Sequence, residues 1–494
     1  MNIKLTVTMM IAVQLFLTAL LPAAEPVDLT EPMKQSLVYL EISNSQYEQY
    51  QPWKQSPISK DGGYGCAVGP YEVLTTAENV INATFLQARL YSQNEYIPAT
   101  IKIVDYEYNL CLLTLDKTTM SAPLKPLKFK EVFQKGQRLD TYWLSAGGHL
   151  TNARSTLDRA EMFYSNVSFV KNLQYLATNT SRPFGDGEVC CSGKDVIGMA
   201  CLGTESDSWI IPSETINRFL TQSKEETYDG FGLVGFKIYD LLDPTMRKYL
   251  KVPESIDYGV YVNTVYHLGT GSKELKSGDV ILSVDGHTIN PYGRYLHDQY
   301  DRLSFENIIL QKSDGDKIPF EIWREGKKEV IEVVARNFKS EDMLVPYYLY
   351  GKQPEYVVIG GFIFQKMTRD YLRMWGEGWQ GKVPPHLYHY YGDLAFKPED
   401  DRRDVVVLNY VLPSEINLGY QDLSRLVVSS INDKKISSIE ELIDAISSDK
   451  DAEFLVIEFE MDSPKVIIPR LQLDIENMKI AQLYGIPQMS NIEK

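Results

Sequence analysis

Three polar residues stand in segments that could build a reaction centre: Glu78 in LTTAENVI, Asn109 in NLCLL and Asp186 in PFGDGEV. Two carboxylates held face to face can share a proton and activate water. The plainer reading is two solvated acids with Asn109 as a hydrogen-bonded filler, and it is the favoured one, because paired acids are common and such sites need far more scaffolding. Attack by a side chain would require a hydroxyl or thiol beside an imidazole. Cys190, Cys191 and Ser192 follow Asp186 closely, but His149 is the only histidine before residue 230. A thiolate also needs a base or a positive neighbour. His386 and His389 lie three apart in PPHLYHYYGDL without a third ligand. That is too little for a metal site. Neither a metal nor a cofactor is expected.

The elements that must carry these residues are mostly strands. Residues 37–120 alternate in LVYLEIS and break into further β runs at Asn, Pro and Asp. SDSWIIPSETINRFL reads as a strand followed by a helix, and the polar run 223–230 as a linker. A second unit opens with GFGLVGFKIYDL, has a Gly-Asp turn before the strand in LKSGDVILSVDG, and holds a hairpin turned at Glu325-Gly326. A third opens with VVIGGFIFQKM and closes with a similar order of strand, turn, strand and helix. Ile439, Leu442, Ile443 and Ile446 form one apolar helix face, capped by Ser437 with Glu440 or by Ser438 with Glu441. Units two and three read as weak repeats of one β-rich module.

At 494 residues, 44% hydrophobic and 11% aromatic, the chain can bury several cores, and three domains are expected. Its net charge of −16 argues against nucleic acid, which demands concentrated Lys and Arg. Residues 1–24 have the layout of an export signal: Lys4, an apolar run, then Ala23 and Ala24. The five cysteines, Cys66, Cys111, Cys190, Cys191 and Cys201, are odd in number and follow no metal-knuckle spacing. They read as buried small hydrophobes, although export leaves room for one disulfide.

The order of these segments resembles the HtrA/Deg family of serine proteases, which joins a chymotrypsin-like double β-barrel to PDZ domains. GLVGFKI and KSGDVILSVDG look like the peptide-binding loop and core strand of a PDZ domain. VVIGGFIF, EINLGYQDL and LYGIP are similar to the Deg proteases of plant organelles. The resemblance implies a mostly β fold with some α: a trypsin-like domain over 30–222, a first PDZ domain over 229–340 and a second, divergent PDZ-like domain over 341–494.

The same resemblance places the family's histidine, aspartate and serine at Glu78, Asn109 and Asp186. Each has lost the required chemistry. Asp186 has no hydroxyl, Asn109 cannot stabilise a cation as a carboxylate does, and Phe184 and Glu188 replace glycines of the oxyanion turn. Cys190, Cys191 and Ser192 fall too close to Val196-Ile197-Gly198 to occupy that turn. What the resemblance leaves is binding: peptides or unfolded segments at Leu233, Val234, Gly235 and Phe236, and at Ile359, Gly360, Gly361 and Phe362. Tyr47, Tyr50 and Trp53 stand where the family's trimer contacts lie, so a homo-oligomer is expected. The expectation is an exported, periplasmic or otherwise extracytoplasmic chaperone, scaffold or regulator, with an active protease paralogue as a conceivable partner. The alternative is a divergent but active endopeptidase of protein quality control.

Overall fold

The computed structural model describes residues 29–180, 184–399, 401–448, 452–461 and 463–492. The expected signal segment lies outside them.

Alternating apolar residues close two barrels. The first contains β1 (Leu37–Asn44), β2 (Ser59–Ala67), β3 (Glu72–Thr75), β4 (Ala83–Leu90), β5 (Tyr96–Asp105) and β6 (Leu110–Leu115), in the order β1-β2-β3-β6-β5-β4. The second contains β7 (Arg138–Leu144), β8 (Leu150–Tyr164), β9 (Lys171–Asn179), β10 (Val189–Ser192), β11 (Asp195–Gly203) and β12 (Asp207–Pro212), in the order β10-β11-β12-β9-β8-β7. Val38, Leu40, Ile42, Leu86 and Leu113 fill the first barrel. A shared layer of Leu74, Leu112, Val189 and Met199 packs between the two.

Two sheets follow. The first contains β13 (Phe236–Tyr239), β14 (Val260–Val265), β15 (Val280–Val284), β16 (His287–Thr288), β19 (Lys317–Arg324) and β20 (Lys327–Val334). β13 stands at its edge, paired with β14 alone. A separate hairpin of β17 (Arg294–His297) and β18 (Asp301–Ser304) lies beside it. Glu325-Gly326, both at positive φ, make the two-residue turn expected between β19 and β20. The second sheet contains β21 (Tyr356–Ile359), β22 (Phe362–Lys366), β23 (Val406–Val411), β24 (Leu426–Ile431), β25 (Lys434–Lys435), β26 (Phe454–Phe459) and β27 (Val466–Pro469). The helix Ile439–Ser448 buries Ile439, Leu442 and Ala445 against it. Its cap is Ser438, whose Oγ accepts from the Glu441 N–H, while the Glu441 carboxylate accepts from the Ser437 N–H.

The units are joined by tyrosines, of which the chain has 32. The turn from β5 into β6 is gripped from both later units. The Tyr228 hydroxyl donates to Asp105 and the Tyr348 hydroxyl to Glu107, while the Tyr106 ring packs on Tyr348 and Tyr350. Tyr108 donates its hydroxyl proton to the Leu310 carbonyl. On the other side Tyr175 and Tyr300 share a hydroxyl contact of 2.9 Å, and Tyr300 donates to Glu214. The second barrel and the first of the two sheets therefore share one continuous core.

Candidate functional site

Strand pairing brings the three polar residues to the junction of the barrels. β3 lies beside β6, with Thr75 opposite Cys111, so the segments just beyond these ends are neighbours. Glu78 opens a 3₁₀ turn, Glu78–Val80, and its backbone N–H donates to Asn109 Oδ1 at 2.9 Å. Asn109 has φ 54°, a left-handed conformation that asparagine tolerates better than most residues. Asp186 lies in the loop entering β10. Its carbonyl accepts from Asn79 Nδ2 at 2.8 Å and from the Tyr64 N–H at 2.9 Å, which pins the loop to the first barrel. The approach is close enough at Gly187 that a Cβ there would meet the Tyr64 carbonyl oxygen at 2.3 Å, so only glycine fits.

Glu188 has a role that its identity alone did not reveal. The residue is 1% exposed, and its Oε2 accepts from the Gly185 N–H at 2.9 Å and the Asp186 N–H at 2.7 Å. Adjacent backbone amides aimed at one point are the apparatus with which a protein holds a developing oxyanion. Here the chain's own carboxylate occupies two of them. The Phe184 N–H faces the buried Ser208 hydroxyl at 3.4 Å. In sequence Glu188 stands out only as a replacement for a glycine of the family's turn; in the structure its carboxylate folds back onto its own backbone.

Burial pushes the Glu188 carboxyl up to about 7. Glu78 is also raised to about 7, first by desolvation and then by the charge of Asp186, against hydrogen bonds from Asn166 and Asn109 that lower it. Its side chain is nevertheless exposed, and water screens that interaction, so Glu188 is the group whose ionisation the fold should feel. Its pKa is higher folded than unfolded, so its contribution to stability is full below about 4.5 and is lost as pH rises through about 7. Glu188→Gln should flatten the pH dependence of stability over that interval, removing a total change of about 3 kcal/mol. Parallel profiles for the two proteins would refute the assignment.

Among the described residues the cysteines offer no activated thiolate. All five cysteines are buried free thiols. Desolvation raises Cys66 and Cys190 to about 12 and lifts Cys111, Cys191 and Cys201 well above the ordinary thiol value. His149 is exposed on the turn between β7 and β8, where its backbone bonds Ser145. His386 meets the Arg425 carbonyl and His389 the Asp393 carboxylate at 2.8 Å. Among the described residues no group of three His, Cys, Asp or Glu is arranged to hold a metal.

The two expected peptide loops differ. Leu233, Val234, Gly235 and Phe236 line an open groove of about 900 Å³, except for Gly235, whose N–H donates to the Thr270 carbonyl. Ile359, Gly360, Gly361 and Phe362 do not form such a loop. Ile359 pairs with Phe362, and Gly360-Gly361, at φ 57° and 89°, make a tight hairpin turn. The Gly360 N–H donates to Asn477, while the Gly360 and Gly361 carbonyls accept from Asn417 and the Leu412 N–H. Its polar backbone is already used by the helix Leu473–Tyr484 and the loop 412–417. Trp53 is buried within the chain, its ring 5.8 Å from Tyr356. Tyr47 and Tyr50 remain half-buried beside it.

Residues 345–491 match the model of a PDZ domain family. Protease Do-like 2, chloroplastic, of Arabidopsis thaliana is 26% identical over 444 residues, covering 88% of this chain and 71% of that protein. The chain is an HtrA/Deg homologue. Protease Do-like 4, mitochondrial, of the same plant is 22% identical, with 90% and 82% covered. The solved HtrA-type protease AlgW with decapeptide superposes with a TM-score of 0.47 at 15% identity, over 63% of this chain and all of that one. This HtrA/Deg homologue has two closed barrels followed by two sheets, the second of them within the PDZ match, and no described helix is long and apolar enough to cross a membrane.

Proposed function

We propose that this HtrA/Deg homologue binds extended or unfolded polypeptide segments without cutting them, as a chaperone, scaffold or regulator outside the cytoplasm. The observation that carries this reading is the Glu188 carboxylate seated on the Gly185 and Asp186 amides. A scissile carbonyl entering the cleft has no free donor pair to polarise it. The supporting chemistry is equally poor. Glu78 stands in for an imidazole, Asn109 for a carboxylate, and Asp186 offers no hydroxyl. Binding is assigned to the domain proposed over 229–340, at the free edge of β13, where an incoming peptide adds as a strand. Residues 1–24 are assigned to export. Assembly into a homo-oligomer would use Tyr47 and Tyr50 rather than Trp53.

Purified protein is expected to bind reduced, unfolded casein while leaving it intact over a long incubation. It is also expected to form no covalent adduct with a fluorophosphonate or an epoxide probe. Cleavage that disappears on mutation of Asp186 or a nearby cysteine would instead establish a divergent protease.

A further inference from the structure

The groove beside β13 carries a charge opposite to that of the whole molecule. Five cations line it, Arg159, Lys171, Lys237, Arg294 and Arg302, against Glu161 and Glu306. Arg159 is tied to Asp158 and Glu161. The other four make no ion pair among the described residues, and Lys237, Arg294 and Arg302 are exposed. Lys171 lies over the Tyr164 ring and Lys237 over Tyr239, geometries that leave each ammonium available to an anion. The surrounding protein has a net charge of −16, so this is a local inversion rather than a general tendency.

The backbone beside these cations is open. The Gly235 N–H donates to Thr270 and its carbonyl accepts from the Tyr266 N–H, both toward the sheet interior. By the alternation of an extended chain, the Val234 and Phe236 amides turn toward the groove. Its apolar wall includes Val234, Phe236 and Leu303. The opposite wall is supplied by the second barrel, through β8 and the start of β9. An occupant would therefore be held between two domains, with its backbone on β13 and its side chains among the cations.

We propose that the groove selects acidic peptides: extended segments with a free, apolar C-terminal residue and Asp or Glu upstream. This rests on the peptide-binding reading above and names the class of segment bound. Complementary charge at the rim sets selection and encounter rate more than raw affinity. Nucleic acid shares the negative charge but not the need for a strand edge.

The test is calorimetry on the full chain with three peptides of one length ending in valine, carrying aspartates, serines or lysines upstream. The aspartate peptide should bind at least about tenfold tighter than the lysine peptide at low salt. Raising the salt to about 0.5 M should narrow the gap. Arg294→Glu with Arg302→Glu should abolish the preference while the serine peptide binds as before. Equal affinity for all three peptides would overturn the charge selection and leave peptide binding standing. No binding by any peptide would overturn both. A single-stranded oligonucleotide that outcompetes the aspartate peptide would reassign the groove to another polyanion.

Discussion

A chain carrying Glu78→His, Asn109→Asp and Asp186→Ser should remain inert toward casein until Glu188→Gly is added. The three substitutions restore the hydroxyl, imidazole and carboxylate at positions already held together by the Glu78 N–H on Asn109 and by Asn79 on the Asp186 carbonyl. They do not free the amides of Gly185 and residue 186, which Glu188 occupies at 2.9 and 2.7 Å. Losing a single oxyanion donor costs a protease about 10²–10³ in turnover. The fourth substitution should therefore raise the rate of the triple variant by at least about a hundredfold. The recovered rate should stay well below that of an intact family member, because the Phe184 N–H still faces Ser208 inside the barrel. If the triple and quadruple variants cut casein equally fast, Glu188 is no plug and the central claim about this cleft fails. A circular dichroism spectrum matching the parent would show that either result belongs to a folded protein.

The second large effect concerns stability. Asp279, in the KSGDV turn, is 1% exposed. It accepts two bonds from Arg324, at 2.8 and 2.7 Å, and a third from the Lys276 N–H. Removing one partner of a buried pair strands the other in a poor solvent. Asp279→Ala should destabilise this unit by about 3 kcal/mol, toward the low end because Arg324 keeps some contact with water. Trp323, beside Arg324 on β19, is a local reporter once the other five tryptophans are replaced by phenylalanine in both variant and parent. Its emission should shift at a lower urea concentration in the variant than in the parent. Asp279→Asn, which retains an acceptor, should lose less. An unmoved midpoint in Asp279→Ala would show that the pair contributes nothing.

Much of the architecture was legible because it rests on local rules. Alternation marked the strands, and Gly326, which accepts positive φ freely, marked the hairpin turn with Glu325. The polar trio was visible only through the resemblance of its segments to the family's motifs; β3 against β6 makes the Glu78 and Asn109 segments neighbours, and Asn79 ties the Asp186 loop to them. The role of Glu188 was not legible. A glutamate two residues after Asp186 looks like a surface charge, and only the path of the loop shows that its side chain folds back onto its own backbone. The segment Ile359–Phe362 misled for a related reason. A glycine pair between apolar residues suits an open loop and a tight hairpin alike, and Asn417 and Asn477, remote in sequence, decide between them. The burial of Trp53 was not legible because its packing partner, Tyr356, lies about three hundred positions away.

The tyrosine grip on the β5–β6 turn has a practical consequence for anyone choosing controls. Tyr108 precedes Asn109 directly and bonds the carbonyl of Leu310, a residue that also borders the groove. One side chain thus spans the distance between the turn that carries Asn109 and the groove beside β13. A mutant made at Asn109 to serve as a reference would tug on the very wall whose proposed affinity is being measured. A reference chosen far from that strut, on the outer face of the first barrel, is the cleaner choice.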